Sequence, residues 1–239
     1  MLALLLIFNN GVAQWRQLAD FGKGLNYGVH SIYFKEFAGI PLDGFISIDY
    51  PGGSGLETDR LWKTIDGGLS WQKISYPLNT GGNYERPSSF TFKDNQEGWF
   101  CGLQGSCIMH SVDGGITWSK QIDIIPTSSL LYLNSTNRLV LAYEGGPPAY
   151  LYSTDGVSFS PVSLGNVSTI GIAFSDNKHG VMSPGPITPL GITHSLYTSD
   201  GGITWFTTPL DADQENFQPI GIKGTTTFYS LSESARTVG

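Results

Sequence analysis

Charge is scarce in this chain of 239 residues: Asp, Glu, Lys and Arg together make up 14% of it, against about a quarter in ordinary globular proteins. Basic residues are the scarcer kind, 13 against 20 acidic for a net charge of −7, and no stretch gathers Lys and Arg into a patch. Without that electrostatic footprint neither nucleic acid nor an anionic membrane surface is an expected partner. Long apolar runs are missing too. Beyond Leu2 to Phe8 nothing approaches the roughly 18 consecutive apolar residues that signal a membrane span. There are only two cysteines, and their C-x5-C spacing has no companion pair, so it is no zinc signature. His30, His110, His179 and His194 show no metal-ligand spacing. No G-x-S-x-G or H-E-x-x-H motif occurs. No metal or cofactor is therefore expected.

What the chain has in quantity is glycine (31), proline (13) and aromatic residues (13%), the composition of many short strands joined by tight turns. Apolar residues at 40% suffice for a sizeable core, and β-rich barrels and propellers of this length are commonly single domains.

The first residues bear on location. The apolar run Leu2 to Phe8 is followed by Gly11-Val12-Ala13, a small-x-small pattern ahead of Gln14, which reads as a signal peptide over residues 1–13 lacking its basic n-region. Seven apolar residues are also one strand's worth, so an N-terminal core strand is the alternative. The signal reading implies a secreted, periplasmic or cell-surface protein. In that setting Cys101 and Cys107, placed symmetrically about Gln104 in what reads as a hairpin, fit either a cross-strand disulfide or two buried thiols.

An internal repeat decides the architecture. Thr64-Ile65-Asp66-Gly67-Gly68-Leu69-Ser70-Trp71, Ser111-Val112-Asp113-Gly114-Gly115-Ile116-Thr117-Trp118 and Thr198-Ser199-Asp200-Gly201-Gly202-Ile203-Thr204-Trp205 nearly superpose. Ser153-Thr154-Asp155-Gly156-Val157-Ser158-Phe159 is a fourth copy, short of one Gly and with Phe for Trp. The aspartates stand 42 to 47 residues apart, and a period near 45 holding four strands is propeller spacing. In each copy the Asp carboxylate is placed to accept turn N–H groups, the glycines take φ > 0 without steric cost, and the aromatic buries a large ring in the blade. The four Asp residues thus read as structural.

These copies resemble the Asp-box, or BNR, repeat of sialidase-like, sortilin-like and related propellers. Gly98-Trp99-Phe100-Cys101-Gly102-Leu103-Gln104-Gly105 is also similar to the G-W-x-x-G-x-x-G that precedes the box in photosystem II assembly factors. The resemblance implies an all-β propeller of four-stranded antiparallel blades, with each box joining the third strand of a blade to its fourth. The propeller covers 14–239, with blades near 25–75, 84–122, 128–163 and 168–208 and a partial fifth at 215–239. Alternation of apolar and polar residues puts the third and fourth strands at Arg60 to Ile65 and Ser70 to Ile74, Cys107 to Val112 and Thr117 to Ile122, Tyr150 to Thr154 and Ser158 to Val162, and His194 to Ser199 and Thr204 to Thr208. Phe217 to Ile222 and Thr226 to Leu231 are the first two strands of the fifth blade. The segment around Trp15 resembles a fourth strand and would complete whichever blade comes last. The ring is expected to be incomplete, with more blades or a further C-terminal domain in the full-length protein.

Strand order sends the boxes to one face and the long connections Tyr50 to Asp59, Tyr76 to Pro87, Glu144 to Ala149, Pro184 to Thr193 and Pro209 to Asn216 to the other. Variable loops on a rigid scaffold are where such folds hold ligands, which makes Tyr50, Glu57, Tyr84, Arg86, Glu144, His194 and Asp211 the candidate contacts. The sialidase resemblance would require three arginines around a substrate carboxylate. The chain has Arg16, Arg60, Arg86, Arg138 and Arg236, with Arg60 and Arg138 read as solvated strand ends, and Arg86-Pro87 lacks the middle residue of the Arg-Ile-Pro motif. The expectation is a non-catalytic exported propeller with a protein or glycan ligand; the alternative is a glycoside hydrolase using loop carboxylates.

Overall fold

The computed structural model describes residues 2–9, 12–20, 28–35, 42–49, 60–78, 82, 86–102, 107–123, 127–134, 136–143, 150–164, 169–184, 194–211, 217–221 and 228–232. All regular structure among them is β. The chain forms two compact units, Met1–Asp123 and Ile124–Gly239.

The first unit holds a two-stranded sheet, β1 (Leu2–Asn9) and β2 (Val12–Asp20), and two four-stranded blades. One blade is β3 (Gly28–Phe34), β4 (Gly44–Asp49), β5 (Leu61–Thr64) and β6 (Gln72–Ile74); the other is β7 (Pro87–Phe92), β8 (Gly98–Gly102), β9 (Cys107–Ser111) and β10 (Ser119–Asp123). The second unit holds β11 (Thr127–Leu133), β12 (Arg138–Tyr143), β13 (Tyr150–Ser153) and β14 (Ser160–Val162), then β15 (Thr169–Phe174), β16 (Gly180–Pro184), β17 (His194–Thr198) and β18 (Phe206–Asp211). It ends in the two-stranded sheet of β19 (Phe217–Gly221) and β20 (Phe228–Ser232). Each sheet is an antiparallel meander, so four complete blades and two half-blades make up the described chain.

The apolar run at the N-terminus is strand β1, with Leu6 facing Trp15 across the pairing with β2. The sequence assigned Trp15 to a last blade as its fourth strand; its ladder partner here is β1.

The boxes explain why the blades turn where they do. Thr64, Ser111, Ser153 and Thr198 each donate their hydroxyl to the box carboxylate at 2.8 Å. The same hydroxyl oxygen accepts a glycine N–H, from Gly68, Gly115, Gly156 and Gly202. Each carboxylate then takes the N–H of Ser70, Thr117, Ser158 or Thr204, and the indoles of Trp71, Trp118 and Trp205 donate to the carbonyls of Gly68, Gly115 and Gly202. Because these bonds hold the whole box in the turn, third strands stop one residue sooner and fourth strands start two residues later than alternation predicts. This offset recurs in all four blades.

Each box is also docked on the first turn of its own blade. Gly67 N–H donates to Leu42 O, Gly114 N–H to Gln96 O and Gly201 N–H to Lys178 O, at 2.8 to 2.9 Å. In the third blade the Asn137 amide donates to Thr154 O instead. The glycine opening the second strand supports that turn: Gly44, Gly98 and Gly180 lie opposite Phe34, Phe92 and Phe174, whose rings occupy the space a Cβ would need.

The core lies between neighbouring blades of each unit. In the first, Phe45, Leu61, Ile74 and Tyr76 pack against Phe90, Phe92, Phe100, Cys107, Met109 and Trp118. The Phe45 ring stacks on Phe90 and Phe92 and meets Trp118 edge-on. In the second, Leu133, Val140, Ala142 and Tyr150 pack against Ile172, Met182 and Leu196. Polar groups pin these seams to the boxes. Lys35, 2% exposed, donates to Asp43 Oδ2 (2.8 Å), Asn95 O (3.0 Å) and Gly114 O (2.9 Å), and its ammonium sits 4.2 Å from the Phe92 ring centre. Tyr150 plays the matching part in the second unit: its hydroxyl donates to Gly202 O and accepts from the Trp205 indole.

One of the two cysteine alternatives is realised, and the reading of Arg60 is corrected. Cys101 and Cys107 are not joined: both are buried thiols. Cys101 lies opposite Ile108, so Cys107 is one position off register. Successive strand residues face opposite sides, which sends Cys107 into the core with Phe100 and Trp118 and Cys101 to the other face. Arg60 is not a solvated strand end. It is 1% exposed, while Arg138 is half-buried with its guanidinium 4.6 Å over the Tyr152 ring.

Gly115 tests the seam. Its φ is +86°, and a Cβ there would lie 2.3 Å from the Phe45 ring. Gly82 has φ +76° with nothing within 4 Å. Both Gly→Ala changes carry the left-handed penalty of about 1–2 kcal/mol, but only Gly115→Ala adds overpacking of about 1–3 kcal/mol. Denaturant titration should find Gly115→Ala clearly the less stable of the two.

Candidate functional site

Antiparallel order places the first and third turns of every blade at one end and the second turn and inter-blade connections at the other. At the box end the described carboxylates are occupied. Asp66 is held at a pKa of about 2 by the Ser70 hydroxyl and N–H and the Thr64 hydroxyl. For Asp113 and Asp200 burial pushes upward, and the hydroxyl and N–H of Thr117 or Thr204 outweigh it, giving about 2 in each. The N–H groups of Ser158 and Val157, with the Ser153 hydroxyl, hold Asp155 well below the ordinary range. Asp94 and Asp176 cap the first turns of their blades through Gln96 and Glu97, and Lys178 and His179, and their pKa values are lowered by those bonds. All six carboxylates are engaged in hydrogen bonds within the turns.

Of the candidate contacts, Arg86 lies at the opposite strand ends of the first unit and His194 and Asp211 at those of the second. Tyr50, Glu57, Tyr84 and Glu144 lie outside the described residues. Arg86 is half-buried and precedes Pro87, whose carbonyl accepts the Ser31 hydroxyl at 2.9 Å. His194 and Asp211 do come together. They are register partners across β17 and β18, because β18 continues three residues past its expected end, bringing Asp211 out of the predicted loop and into the ladder. A β-bulge between His194 and Leu196 re-aims the strand there.

The structure adds basic groups that strand patterning did not single out. The Arg60 carbonyl accepts the Ile48 N–H at 2.8 Å, which puts this buried arginine in the row of Ile48 and Val29, at the same end as Arg86. The sequence signal was an Arg at a strand start, which ordinarily marks solvent. On the second blade His110 stacks on Trp99 with ring centres 5.0 Å apart, its Nδ1 3.3 Å from the Gln121 amide and its Nε2 3.3 Å from Glu97 Oε1. Both ring nitrogens of His110 therefore have partners within its own blade. Among the described residues no group of three or more His, Cys, Asp or Glu side chains could hold a metal ion, and no helix is long and apolar enough to cross a membrane.

Comparison with known proteins agrees with this architecture. The BNR/Asp-box repeat family model matches residues 109–120, the box of the second blade. No curated protein sequence matches the chain. Among solved structures it is similar to YCF48 from Cyanidioschyzon merolae (16% identity, TM-score 0.60, covering 96% of this chain and 74% of that one). It is also similar to an ancestral GH74 enzyme (15%, 0.59, 86% and 28%) and to virginiamycin B lyase from Staphylococcus aureus (14%, 0.59, 95% and 69%). At these identities the likeness is one of fold. The chain is a β-propeller protein. It carries a BNR/Asp-box repeat at residues 109–120 and three further sequence copies similar to it.

The box carboxylates set an acid limit on stability. Their folded pKa values lie below the ordinary 3.8, so their stabilisation is complete above pH 4 and is lost as pH falls through about 2. Circular dichroism should show acid unfolding within that window. Asp113→Asn should flatten it, since an amide offers one acceptor oxygen in place of two and does not titrate.

Proposed function

We propose that this chain is a non-catalytic binding propeller, exported from the cell, that holds a protein or glycan ligand on its loop-rich face. One observation carries the reading: the contrast between the two ends of each blade. The first and third turns of each blade are bonded to one another. The connections 50–60 and 75–86 of the first unit, and 144–149, 185–193 and 212–216 of the second, leave from the opposite strand ends of their own unit; in the second unit His194 and Asp211 are register partners there, and in the first Arg60 and Arg86 stand at the starts of β5 and β7. Rigid sheets presenting variable loops suit recognition, and the described carboxylates at the box end are committed to structure.

Replacement of residues 185–193 by a short Gly/Ser turn, alongside His194→Ala and Asp211→Asn, tests this on glycan arrays and in crosslinking to extracellular proteins of the host. Retention of ligand should fall at least tenfold with an unchanged melting temperature; undiminished binding by all three variants would remove the loop face from consideration. A glycoside hydrolase makes a different forecast, two loop carboxylates within about 10 Å of each other. Polysaccharide cleavage abolished by Glu144→Gln or Asp211→Asn would establish that alternative.

Export rests on the Leu2 to Phe8 run and the Gly11-Val12-Ala13 pattern. Protein recovered from the culture medium or periplasm should begin at Gln14. Recovery of the chain from the cytoplasm with residues 1–13 attached would show instead that β1 is part of the working protein.

A further inference from the structure

The box end carries a feature that the turn chemistry does not require. The residue after the glycines is aliphatic in all four boxes, Leu69, Ile116, Val157 and Ile203, and each side chain is 52–60% exposed. Nothing in the turn uses these side chains, since the box bonds run through backbone, hydroxyl, carboxylate and indole groups. In the first unit they are joined by Leu42, Ile65 and Val112, also more than half exposed. Single exposed aliphatics are ordinary on protein surfaces, whereas a cluster on one face marks an interaction site. Leu42 lies against the Gly67 turn, and the neighbouring Asp43 is tied through Lys35 to Gly114 of the next box.

Charge selects the occupant. Interleaved with the aliphatic tips are Asp66, Asp94 and Asp113, all with lowered pKa values and none in an ion pair with a described residue. Lys35 and Lys63 are buried beneath Asp43, and Lys93 is paired with Glu97. The solvent-facing field is therefore negative between apolar tips. A second copy meeting the same face would bring like charges together, and an anionic lipid surface would be repelled. We propose that the box end of the first unit docks a basic amphipathic segment of a partner protein, in which aliphatic side chains alternate with Lys or Arg. The aliphatics would pack on Leu69, Ile116 and their neighbours while the cations lie over the three carboxylates, which keep their net charge although their oxygens serve the turns. This site is separate from the loop face and does not depend on the reading given for it.

The test uses the full chain and a synthetic helical peptide with Leu on one face and Lys on the other, its counterpart with Glu in place of Lys, and phosphatidylcholine vesicles. Fluorescence anisotropy should show binding of the Leu/Lys peptide that weakens with salt and falls at least tenfold in the Leu69→Ser/Ile116→Ser variant, with no binding of the Leu/Glu peptide. Should the double variant lose its thermal transition, Leu69→Gln and Ile116→Gln taken singly should each weaken binding. The proposal is overturned by equal binding to variant and wild type, by equal binding of both peptides, or by no binding to the wild type. Vesicle binding or self-association that disappears in the variant would also overturn it, by assigning the face to a bilayer or to a second copy.

Discussion

In each box a single side-chain hydroxyl is bonded on both sides, donating to the Asp carboxylate and accepting from a glycine N–H. Everything else about the blade follows from it. The carboxylate, steadied by that donor, gathers the N–H and hydroxyl of the residue four positions on, which fixes where the fourth strand can begin. With the backbone turned this way the second glycine carbonyl points to the indole of the box Trp, so the largest side chain of the motif is oriented before it packs. The third blade shows what is dispensable. It lacks one glycine and the indole, yet Ser153, Asp155 and Gly156 reproduce the hydroxyl-centred bonds.

The same turn is the anchor for the blade before it. Once the box exposes its glycine carbonyls, a buried donor from the preceding blade can reach them: Lys35 in the first unit and Tyr150 in the second. The two donors are chemically unlike, and burial acts on them in opposite directions, lowering the pKa of Lys35 and raising that of Tyr150. Both changes come from removing water around a group that would otherwise be charged or able to ionise. A buried ammonium is tolerable for Lys35 because three oxygens and the face of Phe92 replace its hydration. The abundance of aromatic residues fits this arrangement, since flat rings fill the thin wedge between adjacent sheets.

The sequence was most legible where structure is local. Alternation located the third and fourth strands of the four complete blades to within one or two residues at the box edges, and the repeated box supplied their order. The consistent error at the box edges arose because alternation sees side-chain polarity only: Ile65 and Val112 look like strand residues but stand exposed in the turn. Register was the second blind spot. The symmetry of Cys101 and Cys107 about Gln104 suggested facing partners, and a one-residue offset places them on opposite sides of the sheet. The candidate site was legible only in part. Loop position brought out His194 and Asp211, which pair, whereas Arg60 was misread because a basic residue at a strand start usually faces solvent.

By itself, then, the sequence determined the class of protein and the chemistry of its turns, because the box bonds span at most four residues and need no distant partner. It also determined that the surface would be acidic and poor in cations. Which groups become buried was decided only by tertiary structure. Lys35 meets Gly114 and Tyr150 meets Gly202 across 79 and 52 residues, and Arg60 is 1% exposed. Periodicity within a strand carries no record of what the next blade will place against it.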